Sequence, residues 1–179
     1  VRELAEQWTR ELESFQENAV RQPSALPSPT NPETPKELIL PGESFVVEGR
    51  PAFVMLPKKE KQQQPQPWVF YAATLPAYPD SHEKWMHERF LEAGVAVAGV
   101  DVGESYGSPA GREVFTAFYH HVIDKRGFAP RPCLLGRSRG SLWTSSWAIE
   151  HPKKIAGIAG IYPAFDLRTY PGLAQAAPA

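Results

Sequence analysis

Residues 132 to 140 read Pro-Cys-Leu-Leu-Gly-Arg-Ser-Arg-Gly, and here residue type and spacing together dictate a chemistry. A short apolar run enters a Gly-x-Ser-x-Gly pentapeptide, and a helix-forming segment, Ser141 to Glu150, leaves it. The pattern is strand, sharp turn, helix. A serine held at such a turn takes φ > 0, and the residues two before and two after it nearly touch, so both must lack a Cβ. Gly136 and Gly140 meet that demand. The turn lifts the Ser138 hydroxyl above the sheet edge, beside the free N–H groups of a helix N-terminus that favour a developing oxyanion. Ser138 is therefore a candidate nucleophile. The same five letters also describe an ordinary glycine-rich turn, and the surrounding elements decide between the two readings.

Those elements begin with an apolar stripe, Leu4, Trp8, Leu12 and Phe15, which predicts an amphipathic helix over about residues 2 to 20. Five prolines between Gln22 and Lys36 forbid helix and sheet, so residues 1–36 read as a helix and a proline-rich arm, and residues 37–179 as the domain proper. Two β-type runs, Ser44 to Glu48 and Ala52 to Leu56, flank Gly49-Arg50-Pro51 and suit a hairpin. Trp68 to Ala72 is a continuous apolar strand, followed by a helix capped at Asp80 or Ser81 that carries Trp85, Phe90 and Leu91 and ends at Gly94. Val95 to Val100 is a second buried-type strand. A helix over about Arg112 to Lys125, the Cys133 strand, the Ser141 helix and a last strand, Ile155 to Ile161, complete the pattern. Strands alternating with helices after an antiparallel start predict an α/β fold with a doubly wound, mostly parallel sheet and an N-terminal hairpin.

In such sheets ligands sit at the carboxyl ends of the strands. Thr74, Asp101, Glu104, Ser138 and Asp166 fall just past strand ends and share that rim. The histidines at 82, 87, 120, 121 and 151 are read as lying elsewhere. His151, the only one after Ser138, closes a helix of about thirteen residues and so stands roughly 20 Å from the hydroxyl. Arg137 and Arg139 flank the serine, where they either attract a substrate carboxylate or pair with structural acids.

A formal net charge of −1, with both signs interspersed, gives no electrostatic footprint for nucleic acid or an anionic membrane. The longest apolar run is far below membrane-spanning length. The basic cluster Lys58, Lys59 and Lys61 runs into a Gln/Pro loop and reads as solvated. Cys133 is the single cysteine, so no internal disulfide forms, and its place within a strand favours a small buried residue. Neither a metal-ligating cluster nor a phosphate-binding glycine loop is present, and no cofactor is expected. Val1 without a preceding leader is compatible with a leader already removed, which leans towards an extracytoplasmic site, or with an alternative start.

On the stretches "YAATLP", "AGVAVAGVDVGESYGSP" and "CLLGRSRGSL", residues 44 to 170 resemble the α/β-hydrolase superfamily, and more closely its bacterial esterase-like and peptidase-like members. The resemblance places the elbow serine after the fifth strand and "GIAGIYP" as the sixth. It implies acyl-enzyme catalysis by Ser138, with a histidine base and an acidic orienter. It also implies an oxyanion hole from the Arg139 backbone N–H and the loop Thr74-Leu75-Pro76, in which Leu75 is assigned the second donor in place of the family's His-Gly-Gly-Gly form. The family's order is serine, acid, histidine. Of the residues after Ser138, Asp166 lies at the correct rim but has no histidine to orient, so the chain reads as the N-terminal part of a hydrolase, stopping after strand six.

Three functions stay open: a serine hydrolase of a small carboxylic ester, a peptidase of the same superfamily, and a catalytically silent binding protein. Thr74, Asp101, Glu104, Arg137 and Asp166 are candidate substrate contacts. The Ile155–Ile161 strand is expected to be an open edge, covered by a C-terminal segment or a second chain.

Overall fold

The computed structural model describes residues 36–72 and 78–177. The amphipathic helix, most of the proline-rich arm, and Thr74 and Leu75 lie outside the described residues.

Strands β1 (Glu43–Val47) and β2 (Arg50–Met55) form the hairpin, with Val47 opposite Arg50. The turn is two residues, Glu48 at φ 49° and Gly49 at φ 70°, which matches the strand twist. It is tighter than the sequence suggested, because Arg50 and Pro51 belong to β2. Next come β3 (Trp68–Ala72), helix α1 (Lys84–Glu92), β4 (Ala96–Val100), α2 (Pro109–Arg126), β5 (Cys133–Arg137), α3 (Gly140–Glu150), β6 (Gly157–Ile161) and the short α4 (Leu173–Ala176). The order across the sheet is β1-β2-β4-β3-β5-β6; β1, β2 and β4 run antiparallel to their neighbours in turn, and β4, β3, β5 and β6 are parallel.

Every residue of β3 is buried, because helices cover both faces. Trp68, Phe70 and Ala72 point into the larger core with Phe115, Phe118, Trp143 and Trp147 of α2 and α3. Val69 and Tyr71 point the other way, into a core with Phe53, Val97 and Leu135 that α1 closes with Met86 and Phe90. This is the doubly wound α/β sheet the alternating elements predict.

Helix starts follow their caps. The Asp80 side chain accepts from the His82 N–H, and Glu83 completes a capping box by accepting from the Asp80 N–H, on a 3-10 turn, Ser81–Glu83, that leads into α1. Ser108 caps α2, and Gly127 ends it at φ 70°. On α1, Trp85 is 70% exposed, and the inward position is taken by His87, which is fully buried. The helix is nine residues long and packs Met86, Phe90 and Leu91 against the second core.

β6 pairs with β5 alone, and its other edge has no strand beside it among the described residues. Ile158, Ala159 and Gly160 are exposed there.

Candidate active site

β5 delivers the chain to the carboxyl end of the sheet, and α3 starts two residues after Ser138. Ser138 takes φ 50°, the left-handed region that a non-glycine residue enters only at a cost. Three backbone hydrogen bonds hold it there. The Ser138 N–H donates to Ile161 O at 2.9 Å, and Ser138 O accepts from Ser141 N at 3.1 Å and Ala164 N at 3.0 Å. The hydroxyl makes no hydrogen bond among the described residues, and the side chain is half-buried.

The two glycines are required, though not by each other as the sequence reading had it. A Cβ on Gly136 would lie 2.6 Å from Ser141 Cα, and one on Gly140 would lie 2.6 Å from the Ala72 carbonyl oxygen. The first lets α3 fold back onto β5, and the second seats α3 on the end of β3. The Arg139 N–H, at the helix start, has no acceptor among the described residues. Such an unengaged donor beside a helix N-terminus suits an anionic oxygen.

The charges around Ser138 are answered by neighbours. Arg137 donates to Asp80 at 2.9 Å, to Glu83 at 3.0 Å and to the Tyr162 hydroxyl at 2.7 Å, and it lies 4.4 Å from the Tyr78 ring. Arg139 pairs with Glu104 and lies 5.5 Å from the Tyr170 ring. Both flanking arginines thus pair with acids of the fold. Asp101 is buried and bound through both oxygens to Lys36 at 2.7 Å. Burial pushes its carboxyl up to about 6, against the pull of Lys36. Asp166 turns to Arg168, whose hydrogen bonds hold its carboxyl down at about 2. Asp101, Glu104, Arg137 and Asp166 all stand at the rim, but each is tied into an ion pair, so none presents a free charge to the serine.

None of the five histidines hydrogen-bonds Ser138. His151 ends α3 some 16 Å along the axis from its start, packs on Trp147 with ring centroids 4.9 Å apart and sits 3.4 Å from Thr116 Oγ1. His120 faces Asp124, and His121 stacks on Phe45. His87 is sealed in the core. His82 departs from expectation: it lies at the same rim as Ser138, on the turn whose Asp80 and Glu83 grip Arg137. Cys133 is free, and burial pushes its thiol up, away from reactivity. Among the described residues no group of three His, Cys, Asp or Glu side chains is placed to hold a metal ion, and no helix is long and apolar enough to cross a membrane.

Sequence reasoning missed Asp80 and Glu83 as partners of Arg137. The Asp-x-x-Glu spacing was legible as a helix cap, but the reach of its acids to the next strand is a tertiary fact. It also missed Tyr162 as an anchored side chain, for which no local signal existed.

No protein-family model matches the chain, and no curated protein matches it. Solved structures do. Est1E from Butyrivibrio proteoclasticus is 20% identical with a TM-score of 0.55, over 69% of this chain and 51% of that one. XC6422 from Xanthomonas campestris, described as an a/b serine hydrolase without lid, is 18% identical with a TM-score of 0.52, over 74% and 68%. Oligopeptidase B from Leishmania major is 16% identical with a TM-score of 0.56, over 73% and 21%. The chain thus spans about half the length of Est1E and about a fifth of oligopeptidase B. With the strand order, the two helical layers and the turn at Ser138 already in place, these likenesses establish that the chain carries the α/β-hydrolase fold over the N-terminal part of that architecture.

Proposed function

We propose that this chain supplies the nucleophile and oxyanion hole of a serine hydrolase acting on a carboxylic ester. The observation that carries the reading is the φ of 50° at Ser138. A serine held in that region costs on the order of 1–3 kcal/mol, and such strain collects where a side chain has to be presented for chemistry.

Ser138 Oγ attacks the ester carbonyl carbon while its proton passes to a histidine base. The carbonyl oxygen, now negative, accepts from the Arg139 N–H, with Leu75 assigned as second donor. Collapse breaks the C–O bond, the base returns the proton to the departing alcohol, and water then releases the acid from Ser138 by the same steps. The base is assigned to polypeptide beyond residues 1–179, because no histidine described here contacts Ser138. The open edge of β6 suits a further strand of that polypeptide, and the 51% span of Est1E supports this occupant over a second copy.

A peptidase is the second reading, supported by the TM-score of 0.56 with oligopeptidase B. Rates of the full polypeptide that carries residues 1–179 on p-nitrophenyl acetate and on peptide anilides, with Ser138→Ala as control, separate the readings. The ester reading expects hydrolysis of the ester, lost by about 10⁶-fold in the variant. Turnover of anilides alone favours the peptidase, and equal rates in both proteins leave a silent binding protein.

A further inference from the structure

The turn after β6 meets Ser138 through two backbone hydrogen bonds. Ile161 O accepts from the Ser138 N–H, and Ala164 N–H donates to Ser138 O, so residues 161 and 164 bracket the strained serine on both of its polar groups. Between them stands Tyr162 at φ 36°, a second left-handed non-glycine residue, and its side chain is 65% exposed. Ile161 and Ala164 pack against the two cores, but Tyr162 between them does not. Its side chain is held by the hydrogen bond from Arg137 Nε to the Tyr162 hydroxyl, at 2.7 Å.

Arg137 is itself fixed from behind. Glu83 is buried, accepts from Arg137 and from the Tyr71 hydroxyl at 2.8 Å, and belongs to the capping box before α1; Asp80 of that box is the second acid on Arg137. Burial and the adjacent Glu83 raise the Tyr71 hydroxyl far above its usual range, so it remains a donor. A guanidinium is suited to this post, since its planar fork serves two acids through Nη1 and a third acceptor through Nε, which an ammonium cannot do in one geometry.

We infer that Arg137 is a positioning residue for Ser138, acting through the Tyr162 hydroxyl to hold the 161–164 turn on the serine backbone. The inference rests on the nucleophile reading for its catalytic meaning, and its structural part stands alone.

The test uses Tyr162→Phe, which removes one hydroxyl from an exposed ring, and Arg137→Lys, which keeps the charge. On the full polypeptide that carries residues 1–179, amide hydrogen exchange at Ser138 and Ala164 is read beside core amides such as Phe70 and Val97, together with the rate and affinity of fluorophosphonate labelling at Ser138. In Tyr162→Phe the Ser138 and Ala164 amides exchange about tenfold faster, with the core amides unchanged. The maximal labelling rate falls by a similar factor while reagent affinity holds, and Arg137→Lys does not restore either. Unchanged exchange at Ser138 and Ala164 overturns the inference, as does loss of protection spread evenly over the core. Absence of labelling in the wild-type protein counts against the nucleophile reading instead, and exchange still decides the tether.

Discussion

Gly136 and Ser141 approach so closely that a Cβ on the glycine would sit 2.6 Å from the Ser141 Cα. This contact is what lets α3 begin immediately after Ser138 and point its N-terminus at the serine.

Gly136→Ala therefore forces α3 away from β5, because the clash is with backbone that no rotamer change relieves. The expected cost is about 1–3 kcal/mol of stability, read as a lower urea midpoint. An unchanged midpoint would show that the approach is not needed.

The α/β class, five of six strands within two residues of their bounds, and the elbow itself were legible because each rests on local pattern: continuous apolar runs for β3, β4 and β5, and glycine pairs at the turn. Which side of the short helix α1 faces the sheet was not legible, because an aromatic such as Trp85 at helical spacing does not reveal it. The ion pairs of the residues expected at the rim were not legible. Lys36 reaches Asp101 across 65 residues, and Arg137 reaches Asp80 across 57.

His87 makes the fold sensitive to acid. Its ring is fully buried against Tyr71 and Phe90, with neither nitrogen hydrogen-bonded, and burial lowers it from 6.5 to about 4. The unfolded chain binds a proton that the folded chain refuses, so the stability this neutral histidine allows is fully present above pH 6.5 and is lost as pH falls towards 4. The loss amounts to about 3 kcal/mol. Chemical denaturation of His87→Leu across that range should lack this component; an identical slope in both proteins would contradict it.

Lys36 and Asp101 form a buried pair, with side chains 1% and 8% exposed. Lys36→Met leaves the carboxylate uncompensated and is expected to cost about 3–5 kcal/mol, whereas Lys36→Met with Asp101→Leu recovers most of it. If the double variant is as unstable as the single one, the pair contributes more than mutual compensation.

Ile158 is 46% exposed on the unpaired side of β6. Residues 1–179 alone should self-associate with rising concentration in sedimentation, and Ile158→Lys should reduce that association. A wild-type chain that stays monomeric throughout would remove the case for a covered edge.

The central claim is that Ser138 is the nucleophile. Its most direct test is the site of fluorophosphonate attachment, mapped by peptide mass spectrometry on the full polypeptide that carries residues 1–179. The account predicts a single adduct on Ser138 that disappears in Ser138→Ala. An adduct on Ser105, Ser141 or Ser145, or one that persists in the variant, or none at all, would contradict it.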